Sequence, residues 1–271
     1  MRSIAFLSIF LSSALAAPLV SWSPALGEFY AAVDRHIQIA RQAGAINSPP
    51  TCDLSKAVMP VAPTPLPLPD PSWRLSEVVV GRGVQNYTCS LATKDVVPKA
   101  VGAIASLYNV SCIAANYPDI LGMLPGLALE YALPADPVAN LEPSNLALAG
   151  HHYFTSNGTP TFDMSQPRSI NVANLASIPI TDGSSGITKA KLAVNSTAPA
   201  DAPKGEHGQG FGAVPWLLLN STFGTTGDVV AVYRINTAGG KAPPTCESSP
   251  AYFSVQYATE YWFYTKPKTT G

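Results

Sequence analysis

Of 271 residues only 12% are charged and 46% are hydrophobic, against about 25% charged in an average globular chain, which excludes disorder as the overall state and predicts a sizeable core. The formal net charge is −1. Lysines such as Lys94, Lys99, Lys189, Lys191 and Lys204 are scattered, so the basic stripe of a nucleic-acid binder is missing and a polyanionic nucleic-acid partner is not expected.

The chain opens with Arg2, an apolar run from Ile4 to Leu15, and the small-residue ending Ala14-Leu15-Ala16. This pattern predicts a secretory signal peptide over residues 1–16, with the mature chain starting near Ala17. The run is too short to span a bilayer, and no later stretch approaches the roughly 20 apolar residues a membrane helix requires. The expectation is a secreted protein, extracellular or in the cell wall, without a membrane span.

Residues 17–48 read as a helical segment. Ser23-Pro24 pairs a hydroxyl cap with proline at the first helical position, Leu26, Tyr30, Val33, Ile37 and Ala40 follow at helical spacing, and Gly44 supplies the stop. From 49 to 73 prolines recur, favouring extended polyproline-like backbone that serves as a linker or as a belt laid over the fold.

Residues 74–271 read as a single β-rich domain. Strands are predicted over 77–84, 85–91, 101–111, 146–156, 159–164, 187–194, 214–219, 228–236 and 252–265, punctuated by Gly, Pro and Ser clusters, and a short helix broken near Pro125 over 118–133. The series predicts an all-β fold, an antiparallel sandwich or barrel with a short N-terminal helix. Asn157-Gly158 between two strand-like runs predicts a two-residue hairpin turn. In the last strand Val255, Tyr257, Thr259, Tyr261 and Phe263 share one face while Gln256, Ala258, Glu260, Trp262 and Tyr264 share the other, and one of these faces is expected to be core.

Four cysteines in an oxidising compartment predict two disulfides among three possible connectivities. Cys89 and Cys112 each end an Asn-x-Ser/Thr-Cys sequence in strand-like segments that could pair as neighbours, so the expected bonds are Cys89 with Cys112 and Cys52 with Cys246. Five sequons, at Asn86, Asn109, Asn157, Asn195 and Asn220, predict glycosylation in a secreted chain.

The sharpest local candidate for chemistry is Gly150-His151-His152-Tyr153-Phe154. On a strand the two histidines face opposite ways, so a metal at His151 needs ligands from elsewhere, the candidates being Asp163, Glu260 and His207 in the glycine-rich loop Gly205 to Gly210. His151, Asp163 and Glu260 form the candidate catalytic set, with the carboxylates as general acid and base. Tyr153, Trp216, Arg234, Tyr257 and Trp262 form the candidate ligand platform for a sugar or an aromatic compound. The plainer reading makes the charges a paired core and the aromatics its packing. Gly81-Arg82-Gly83-Val84-Gln85-Asn86 lacks the third glycine of a dinucleotide loop and runs into Tyr87-Thr88-Cys89, so no NAD site is expected; any other cofactor stays open. GxSxG, HExxH and the phosphate-binding P-loop motif are also missing.

Taken together, Gly83-Val84-Gln85-Asn86-Tyr87-Thr88-Cys89, Gly150 to Phe154, Ala213-Val214-Pro215-Trp216-Leu217, Tyr233 to Gly240 and Tyr257 to Tyr264 resemble a secreted, mainly fungal family catalogued as a domain of unknown function. The resemblance runs from about Cys52 to Tyr264. It implies secretion and a single domain, and brings no catalytic residues with it. Some members carry the label malate dehydrogenase, which these residues do not support. The functional expectation is binding of a carbohydrate or cell-wall component; the alternatives are an extracellular enzyme with a His/carboxylate pocket and a surface protein without ligand chemistry.

Overall fold

The computed structural model describes residues 23–48, 50–133, 139–165 and 186–267; the expected signal peptide lies outside them. Helix α1 spans Pro24–Gln42, and the Ser23 side chain accepts a hydrogen bond from the Leu26 amide at 3.2 Å, satisfying one of the orphan donors of the first turn. Its inward stripe buries Leu26, Phe29 and Ala32. Two further helices follow the second strand, α2 (Ser111–Asn116) and α3 (Pro118–Ala128). The expected break at Pro125 does not occur. Proline forfeits one backbone bond at a cost of about 3 kcal/mol, but α3 buries Ile120, Leu121, Leu124, Leu127 and Ala128, and each large apolar side chain returns about 1.5–3 kcal/mol.

Eight strands, β1 (Arg74–Thr88), β2 (Lys99–Asn109), β3 (Leu148–Phe154), β4 (Pro160–Asp163), β5 (Ile187–Ser196), β6 (Trp216–Ser221), β7 (Val229–Gly239) and β8 (Tyr252–Thr265), close in chain order into an antiparallel barrel. Closure leaves no unpaired edge and decides between the two expected all-β architectures. The two strands expected between 77 and 91 are one. Gly81 and Gly83 do not interrupt it: a Cβ at Gly81 would lie 2.7 Å from the Tyr261 ring, and one at Gly83 would lie 2.0 Å from the Ile104 carbonyl. These glycines let the long strand coil against its neighbours. At the β3–β4 hairpin only Gly158 takes a positive φ, 78°, and its amide donates to the Thr155 carbonyl, so the turn is wider than the two residues expected.

Both faces of the last strand are core. Inside the barrel, Tyr261 and Phe263 pack with Val79, Leu107, Phe162 and Val232. Outside it, Trp262 and Tyr264 join Val78, Val80, Tyr108, Tyr233 and Ile235 beneath α1 and α3. The proline-rich segment is a belt on this outer core. Ala62 and Leu66 are buried there, the Thr64 amide donates to the Ser196 hydroxyl, and the Tyr233 hydroxyl donates to the Pro67 carbonyl at 2.8 Å.

The disulfides join Cys52 to Cys112 and Cys89 to Cys246, not the pairs expected. β1 and β2 are indeed neighbours, but they run antiparallel with Val79 opposite Asn109 and Thr88 opposite Lys99. Cys89 and Cys112 therefore lie beyond opposite ends of the pair, roughly 30 Å apart at the rise of a strand. Cys112, carried over by α2, meets the belt beside its 3-10 turn Leu54–Lys56.

Candidate functional site

The barrel register distributes the expected catalytic residues. His151 stands directly opposite Asp163 on β3 and β4, on the outer face, since their neighbours His152 and Phe162 stack inside with ring centroids 4.3 Å apart. Tyr153 shares the outer face of β3. Asp163 Oδ1 accepts from the Ser165 amide at 3.0 Å. Glu260 lies on the outer face of β8, four strands round the barrel from β4, so the wall and its filled interior separate it from His151 and Asp163. His207 is also elsewhere: its Nδ1 pairs with Glu130 Oε2 at 3.1 Å beyond the end of α3. Among the described residues no group of three or more His, Cys, Asp or Glu side chains is placed to hold a metal ion.

Glu260 is fully buried. Asn236 Nδ2 donates to its Oε1 at 2.7 Å, Trp262 Nε1 donates to its Oε2 at 2.8 Å, and the same Asn236 amide donates to the Gly122 carbonyl of α3. Burial pushes the carboxyl up to about 7, with the two donors opposing. Asn236 reaches both partners because a bulge in β7 holds it at φ 46°, a left-handed conformation that asparagine tolerates. Glu260 is thus a polar rivet between the barrel and α3. Arg82 is a second one. Its buried guanidinium donates to the carbonyls of Ala128 and Tyr131 at the end of α3, at 2.9 and 3.0 Å, and to the Gln256 side chain, with Glu206 at 3.6 Å. Desolvation lowers it to about 10, partly offset by Glu206, which leaves it a cation at the negative end of the helix dipole. Neither role was read from the sequence. The one legible hint was a charged residue between glycines in a run of apolar strand.

Three residues of the expected ligand platform are inside the protein. Trp216 is 3% exposed and Tyr257 and Trp262 are 0% exposed, so none offers a ring face to solvent. Tyr257 and Tyr261 share a hydrogen bond between hydroxyls at 3.1 Å within the barrel, and burial raises both. His152 joins them: one ring nitrogen lies 2.9 Å from the Thr161 carbonyl, and burial lowers it to about 4, so it is neutral with Nδ1–H as donor. Arg234 pairs in register with Tyr261 and so faces inward. Its Nη2 donates to the Pro215 carbonyl at 2.8 Å, while its buried Nε and the buried Nε2 of Gln85 have no protein partner.

At this end of the barrel a cleft of about 380 Å³ opens between the loops 197–204 and 211–215, with Tyr87, Lys204, Phe211, Val214, Pro215 and Lys241 among its lining. Its volume falls in the range of small-ligand sites. The Tyr87 hydroxyl donates to the Gly240 carbonyl at 2.7 Å, which fixes the ring at the rim, whereas Phe211 is 55% exposed. Lys241 and Phe211 carried no sequence signal. They follow no motif and come together only because the bridge between Ala213 and Gly240 draws their two loops side by side.

A family model described as a protein of unknown function, DUF3455, matches residues 69–265, which contain the whole barrel. The chain belongs to the DUF3455 family. A second model, also of unknown function, DUF2990, matches residues 8–67 and takes in α1 and most of the belt. No curated protein and no solved structure matches the chain. Among the described residues no helix is long and apolar enough to cross a membrane.

Proposed function

We propose that this DUF3455 chain is a secreted, glycosylated barrel that acts by binding a carbohydrate or cell-wall component, with the ligand seated in the cleft at the barrel mouth. The observation that carries this reading is the combination, in one open cleft, of an exposed aromatic ring at Phe211 with hydrogen-bond donors at Lys204 and Lys241. A ring face with polar groups around it is what a sugar needs, apolar on one side and hydroxylated at its edges. Two disulfides suit an oxidising compartment.

The separation of Glu260 from His151 and Asp163 favours binding over catalysis by that set, because acid–base chemistry requires the groups within hydrogen-bond reach of one substrate. Catalysis by Glu260 would also require its withdrawal from Asn236 and Trp262. Glycan-array or wall pull-down binding by the secreted protein tests the proposal. Retention above background that falls on Phe211→Ala, with unchanged folding, supports it; background-level binding by the wild type overturns it.

A further inference from the structure

We infer that the saccharide bound at the barrel mouth is an acidic one, carrying carboxylates, an inference that rests on the binding proposal above. Lys204 and Lys241 line the cleft and no Asp or Glu does. Neither lysine forms an ion pair among the described residues. Of the nearby acids, Glu206 faces Arg82 at 3.6 Å and Glu130 pairs with His207, while Asp201, between the lining residues Ala200 and Ala202, is exposed and lies outside the lining.

A third cation stands behind the floor. Arg234 is tied by Nη2 to the carbonyl of Pro215, a lining residue, and its charge reaches Tyr87 at the rim. Gln85, with its unpartnered amide nitrogen, adjoins the same floor: a Cβ at Gly240 would touch both Gln85 Cγ at 3.2 Å and Val214 Cγ1 at 3.0 Å. Three cations without a carboxylate, in a chain whose formal net charge is −1, make a local positive field that the overall composition does not require. A carboxylate on a sugar ring answers both features of the cleft, its charge meeting the lysines while the ring lies against Phe211.

The test is calorimetric titration of the secreted protein with three probes: a tetramer of galacturonic acid, the fully methyl-esterified tetramer, and inorganic phosphate. The acid should bind at least tenfold more tightly than the ester, with affinity that falls as salt rises. Lys204→Gln and Lys241→Gln, both at exposed positions, remove the charge and keep an N–H donor, so each should weaken the acid about fivefold more than it weakens the ester. Equal binding of acid and ester, indifferent to both lysine variants, overturns the acidic assignment while the saccharide-binding proposal stands. Phosphate binding as tightly as the tetramer also overturns it, because the lysines would then take any anion. If neither tetramer binds and the glycan array is at background, the binding proposal itself falls.

Discussion

Replacing Glu260 with glutamine should tilt the pH profile of stability, because two buried groups titrate in opposition. Folded Glu260 keeps its proton up to about pH 7 against an ordinary value of 4.5. Its contribution is therefore fully present below about pH 4.5 and is lost as pH rises through about 7. His152 runs the other way. Its folded value is about 4 against 6.5, so its contribution is present above about pH 6.5 and is lost as pH falls through about 4. At about 1.4 kcal/mol per tenfold in a proton equilibrium, each is worth on the order of 3 kcal/mol. Between about pH 4.5 and 6.5 the two slopes have opposite signs and largely cancel in the wild type.

Glu260→Gln removes one of them. Urea unfolding followed from pH 4 to 7 should then show the variant gaining stability relative to wild type by on the order of 3 kcal/mol as pH rises. Glutamine offers a single carbonyl oxygen to the two donors, Asn236 and Trp262, so the variant also carries a pH-independent penalty of about 1–3 kcal/mol. The slope carries the test. The lowered carboxyls of Asp53, Asp70 and Asp119 are common to both proteins and drop out of the difference. Profiles that stay parallel across this range would refute the reading of Glu260 as a buried group that holds its proton to near neutrality.

Other outcomes follow from the same geometry. Arg82→Met should cost about 3–5 kcal/mol in urea unfolding, since the carbonyls of Ala128 and Tyr131 lose their buried charged donor; a loss under about 1 kcal/mol would contradict its role in holding α3. Peptide mapping without reduction should recover Cys52 joined to Cys112 and Cys89 joined to Cys246, bonds spanning 60 and 157 residues and stabilising by about 4 and about 5 kcal/mol on the chain-entropy model. Asn157 and Asn195 are exposed, and on the proposed secretory route substituting either with glutamine should remove one glycan from the protein by mass. No such loss is expected at Asn86, which is 8% exposed and accepts from Ser254, or at Asn109, whose amide nitrogen donates to Glu77 at 2.8 Å; a glycan at either would show that the strand ends open more than their hydrogen bonds imply.

Local signals were legible wherever a residue acts on its own neighbours. Ser23-Pro24 announced α1, alternation announced β8, and the proline run announced an extended segment, because caps, pleats and fixed φ angles operate over a few residues. The cysteine pairing was not legible. Neighbouring strands were correctly inferred, but their antiparallel sense decides which ends meet, and that depends on closure of the sheet. The burial of Trp262 and Tyr257 was not legible for a related reason: alternation says that they face opposite ways, but not that helices cover one face while the barrel encloses the other.

Composition, turn residues and strand periodicity were enough to establish an all-β chain with one N-terminal helix and two disulfides. Closure of the barrel, the helical cover that buries Glu260, and the meeting of Lys204, Phe211 and Lys241 at its mouth came from contacts between residues far apart in the chain. Such contacts are set by the packing of whole elements, which no short stretch encodes.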